Sequence, residues 1–107
     1  MSDLEYQPVS FKDVLIEMKD ISELMVDLAY SAILFESRDI AQEVITLEER
    51  MNQLVYQARI QSILGARRVE EAEAMSGMLQ VSEAAEKISN SASEIATIIL
   101  KDVKFPA

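Results

Sequence analysis

The chain has two prolines, Pro8 and Pro106, one near each end, so nothing between them forbids helix. The first start signal is Val9-Ser10-Phe11-Lys12-Asp13, where the Ser10 hydroxyl can accept from free backbone N–H groups and Asp13 stands at the acidic position of a capping box. From there Phe11, Val14, Leu15, Met18, Ile21, Met25, Leu28, Ala29, Ala32 and Phe35 recur at steps of three and four, a single apolar stripe on one long helix. Glu36-Ser37-Arg38-Asp39 interrupts it, and Ser37 or Asp39 can cap a second helix. Its stripe runs through Ile40, Val44, Leu47, Met51, Leu54, Val55, Ala58 and Ser62 to Gly65, which reads as the left-handed residue past a helix end. The third stripe is Ala72, Met75, Leu79, Ser82, Ala85, Ile88, Ala92, Ile95 and Ile99, with Gly77 marking a place for a kink or a frayed turn. Helices over about 10–36, 38–65 and 68–101, joined by short connections, predict an all-α, antiparallel up-down-up three-helix bundle. The 107 residues form one domain, with 1–9 and 102–107 as flexible ends and the latter a candidate linker to a further C-terminal domain.

Composition removes whole mechanisms. With no cysteine and no histidine there is no thiolate or imidazole zinc site, no Cys/His nucleophile pair and no Ser-His-Asp triad. Gly65 and Gly77 are the only glycines and cannot build a phosphate-cradling loop. Nineteen acidic residues against ten basic ones, a net charge of -9, oppose nucleic acid, whose affinity rests on neutralising phosphates. No apolar run approaches the roughly 20 residues of a membrane span, and MSDLEYQPVS is not a signal peptide. The expectation is a cytoplasmic helical domain, peripheral to a membrane at most, and not an enzyme. Adjacent acids such as Glu48 and Glu49, or Glu70 and Glu71, diverge on a helix and do not form an acid/base pair.

Apolar residues exceed what one bundle needs. Ile16, Tyr30 and Leu34 project to a different face from the main stripe of the first helix. The third helix carries small residues, among them Ala85, Ser89 and Ala92, that let another helix approach closely. These serve either tight packing within the bundle or self-association, and a two-fold homodimer is expected. Arg59, Arg67 and Arg68 concentrate positive charge at the end of the second helix, where cations complement the helix C-terminus; the alternative is a site for an anion or a phosphorylated partner. Glu48 with Asn52, and Glu86 with Asn90, share an i, i+4 spacing that puts each pair on one helix face. Such pairs are a solvated flank or, on neighbouring helices, oxygen ligands for a divalent cation or for iron.

Ala85-Glu86-Lys87-Ile88-Ser89-Asn90-Ser91-Ala92-Ser93-Glu94-Ile95-Ala96 resembles the signature segment of PhoU-like domains. Leu47-Glu48-Glu49-Arg50-Met51-Asn52-Gln53-Leu54 resembles that family's other acid-x-x-x-Asp copy, and with Leu28-Ala29-Tyr30-Ser31-Ala32 the likeness covers roughly residues 10–101. Glu17-Met18-Lys19-Asp20-Ile21-Ser22-Glu23-Leu24-Met25 is similar to archaeal proteins in which one PhoU-like domain precedes a TrkA C-terminal (RCK-type) ligand-binding domain. The resemblance implies a three-helix bundle and a regulatory role in potassium or other cation transport, exerted by dimerisation and docking to a transporter, its regulatory subunit or a ligand-sensing domain. The alternatives are a metal-binding PhoU-type regulator of phosphate uptake, or a structural dimerisation module without ligand. Metal-binding relatives have Asp where this chain has Asn52 and Asn90, which leaves Glu48 and Glu86 as the best ligands for any divalent cation or iron.

Overall fold

The structure, a computed structural model, describes residues 10–65 and 69–105 and is helical over most of them. Helix α1 spans Phe11–Leu34, α2 Arg38–Gly65 and α3 Val69–Asp102, and each packs against both others. The expected boundaries at 10–36, 38–65 and 68–101 are displaced by no more than two residues at any end.

The starts follow the caps. The Ser10 hydroxyl accepts from the Asp13 N–H at 3.1 Å, and the Ser37 hydroxyl accepts from the Ile40 N–H at 3.1 Å, each satisfying a free donor of a first turn. Between α1 and α2, Ser37 N–H donates to the Ala32 carbonyl and Glu36 N–H to the Ile33 carbonyl, the paired bonds of a Schellman turn. Such a turn needs a left-handed residue, and here it is Glu36, at φ 51°. Gly65, expected to be left-handed, instead remains helical as the last residue of α2; no described glycine has a positive φ. Gly77 sits inside α3 without interrupting it.

The core divides into two clusters. One joins Phe11, Val14 and Met18 of α1 with Met51, Leu54, Val55 and Ala58 of α2 and Ala85 of α3, with Met75 and Met78 packed against it. The other joins Met25, Ala29 and Ala32 with Ala41 and Val44 and with Ala92, Ala96 and Ile99. The first half of α1 therefore shares a core with the second half of α2. Burying each of Met18, Met25 and Met51 completely contributes about 1.5–3 kcal/mol.

Two stripe assignments differ from the expectation. Phe35 is the residue that ends α1 and is 72% exposed, because the turn carries it outward. On α3 the buried positions among the described residues are Ser82, Ala85, Ser89, Ala92, Ser93, Ala96 and Ile99, while Ile88, expected in the core, is exposed. Apart from Ile99 the inside of α3 is filled by small residues, as close packing against its neighbours requires, and Val81, Ile88 and Ile98 are turned out.

Candidate functional site

Where the two apolar clusters meet, Ile21 packs against both, and each helix also carries a polar residue at the core position between them. In each helix one residue separates the members of one cluster from those of the other: Ser22 between Met18 and Met25, Glu48 between Val44 and Met51, and Ser89 between Ala85 and Ala92. Ser22 and Ser89 are buried, and Glu48 is half-buried although it occupies a core position of the α2 repeat. The Ser22 hydroxyl donates to the Lys19 carbonyl at 2.9 Å, one turn back on its own helix. Ser89 Oγ and Ser93 Oγ are buried and have no hydrogen-bond partner. A hydroxyl buried this way is costly, so the junction is a local weakness in the packing.

Glu86 is half-buried, while Asn52 and Asn90 are exposed. The structure thus keeps one acid of each Glu-x-x-x-Asn pair at the edge of the bundle and turns its amide to solvent. No group of three or more carboxylate, imidazole or thiolate side chains positioned to hold a metal ion occurs among the described residues. Two carboxylates and two neutral, exposed amides do not fit a multinuclear metal centre, which needs bridging anionic oxygens.

The remaining candidates separate by burial. Ile16, Tyr30 and Leu34 are exposed on α1, Leu34 at 77%. Ala85, Ser89 and Ala92 are buried between the helices, so their small size serves packing inside the bundle. Arg59 is exposed on α2; Arg67 and Arg68 lie outside the described residues.

Two arginines that sequence reasoning left without a role hold the helices together. Arg50 donates through Nε and a terminal nitrogen to both oxygens of Glu17, at 2.7 and 2.8 Å, a bidentate bridge from α2 to α1. These hydrogen bonds hold the Arg50 guanidinium above its ordinary value, against the opposing effect of partial burial. The signal was in register: Glu17 precedes Met18 and Arg50 precedes Met51, so both flank one core layer. Arg38, at the start of α2, donates to the Leu100 carbonyl and, at 2.8 Å, to the Val103 carbonyl. It thereby satisfies acceptors that the end of α3 leaves free.

A groove between α1 and α2, about 350 Å³, is lined by Leu24, Leu28, Glu43, Thr46 and Leu47, and a smaller one between α1 and α3, about 210 Å³, includes Lys19, Glu23, Val81, Ala84 and Ile88. The first holds one ionisable side chain, Glu43, and the second holds the exposed ion pair of Lys19 with Glu23, at 3.6 Å. No helix among the described residues is long and apolar enough to cross a membrane.

Comparison with curated proteins finds no significant match. Comparison with protein families gives a match to the PhoU domain over residues 15–99, which takes in most of all three helices.

Proposed function

We propose that this chain, which belongs to the PhoU domain family, is a non-enzymatic regulatory domain that modulates membrane ion transport by docking as a dimer. The observation that carries the reading is the match to the PhoU domain across residues 15–99. Potassium or another cation is the transported ion in this reading. The likeness of residues 17–25 to domains that precede a TrkA C-terminal domain supports it. The three helices run up, down and up, supported by the pairing of opposite helix halves in each core cluster. Signal passes by movement of packed helices against one another, in the manner of shear between close-packed elements. The domain works in the cytoplasm at the surface of its transporter, which is its partner together with a second copy of the chain.

The test measures uptake of rubidium, as a potassium tracer, and of phosphate in cells that make this chain and in cells from which it has been deleted. Altered rubidium uptake with unchanged phosphate uptake is the expected result. The reverse pattern transfers the role to phosphate uptake, and no change in either overturns a part in ion transport. Metal analysis of purified protein separates the metal-binding alternative: stoichiometric metal that disappears in the Glu48→Ala, Glu86→Ala variant would establish it.

A further inference from the structure

Besides the stripe that α3 buries, it carries a second one. Val81, Ala84, Ile88, Ser91, Ile95 and Ile98 repeat at alternating steps of three and four, the spacing of a coiled-coil seam. This seam faces out of the bundle: Val81 is 56%, Ile88 46% and Ile98 51% exposed, Ala84 and Ser91 are exposed, and Ile95 is half-buried. Its first part borders the groove against α1 that contains Lys19 and Glu23. A monomer has no use for a regular line of β-branched residues in water.

The geometry points to this seam as the homodimer interface, with α3 of one copy packed antiparallel against α3 of a second copy. The residue order is complementary to its own reverse. Antiparallel pairing brings each first-position residue opposite a fourth-position residue, so Val81 meets Ile98 of the second copy, Ala84 meets Ile95 and Ile88 meets Ser91. Two of these three pairs thus set a small residue against a large one, and Val81 with Ile98 joins two β-branched residues. The same register puts Lys87, which flanks Ile88, opposite Glu94 of the second copy, and the two-fold axis repeats that pair. Lys87 and Glu94 are both exposed and flank the seam on its solvent side. Parallel pairing matches Ala84 with Ala84 and Ser91 with Ser91, leaving gaps, and places neither charge opposite its complement. Charge and volume together therefore select a second copy, antiparallel, as the occupant.

The inference rests on the dimer reading above, and sedimentation of the full chain distinguishes the two. The wild type sediments as a dimer. Lys87→Glu and Glu94→Lys each turn two attractive contacts into two repulsive ones and weaken the dimer about tenfold or more, while the double variant Lys87→Glu, Glu94→Lys restores it toward wild type. Because the chain has no cysteine, an equimolar mixture of Ile88→Cys and Ser91→Cys variants forms a mixed disulfide-linked dimer on mild oxidation. A wild type that is monomeric at high micromolar concentration overturns both the dimer and the seam, and leaves the face to a helix of another protein. A dimer that the charge variants do not weaken, or that yields no mixed disulfide, overturns the seam alone and moves dimerisation to another surface.

Discussion

Replacing Ser89 by alanine should stabilise the protein. Ser89 is 1% exposed, its hydroxyl has no partner, and it lies where the two apolar clusters meet. A buried, unsatisfied hydroxyl costs about 1–3 kcal/mol relative to the same volume without the polar atom. Alanine also exceeds serine in helix propensity by about 0.5 kcal/mol. Removing one Oγ leaves a cavity smaller than a methyl group, so the loss of packing is minor beside these gains. The sum is about 1.5–3.5 kcal/mol, which for a domain of this size raises Tm by roughly 6 °C or more. Urea unfolding followed by circular dichroism measures it, at one fixed protein concentration because self-association adds to apparent stability. Ser76→Ala, at an exposed position of α3, provides the propensity gain alone. A Ser89→Ala variant no more stable than Ser76→Ala, or less stable than wild type, would refute the reasoning and show that the hydroxyl is bonded.

Gly77→Ala should stabilise by up to about 1 kcal/mol, since a Cβ there meets nothing within 4 Å and the position is helical; a lower thermal midpoint in the variant would contradict it. Glu36→Gly removes the Cβ penalty of a left-handed residue, offset in part by glycine's greater freedom when unfolded, and the expected net gain is about 0.5–1 kcal/mol in denaturant unfolding. Arg38→Ala strips the donors from the Leu100 and Val103 carbonyls and should raise hydrogen exchange in the last turn of α3 well before it changes global stability. A double-mutant cycle on Glu17 and Arg50 should give a coupling of about 0.5–1 kcal/mol that shrinks with added salt, because both side chains are about two-fifths exposed; a coupling above about 2 kcal/mol would mean that the bridge is shielded from solvent.

Much of the architecture was legible because α1 and α2 carry their apolar residues at the helical period and Ser10 and Ser37 announce the starts. The turn at Glu36 was not legible, since its left-handed backbone is imposed by the Schellman bonds and not by a glycine. In α3, hydrophobicity was a poor guide to burial. Where helices approach closely the inside is filled by alanine and serine, so Ser89 and Ala96 went in and Ile88 stayed out. For the same reason Glu48 read as part of a solvated flank, although it interrupts the core repeat of α2 between Val44 and Met51. Glu86 and the two asparagines were placed on helices correctly. Their distance from any third acid needed the packed structure, because a single sequence does not set the register between α2 and α3.

The two halves of the core differ in what they are made of. One half is chiefly alanine: beside Met25, Val44 and Ile99 it holds Ala29, Ala32, Ala41, Ala92 and Ala96, which have no rotamers to exchange. The other is lined by Met18 and Met51, with Met75 and Met78 against it, side chains with three rotatable bonds and a polarisable sulfur. The bundle is therefore stiff at one end and yielding at the other. Pressure on the methionine end can be taken up by side-chain rearrangement, while the alanine end holds the helices in fixed relation.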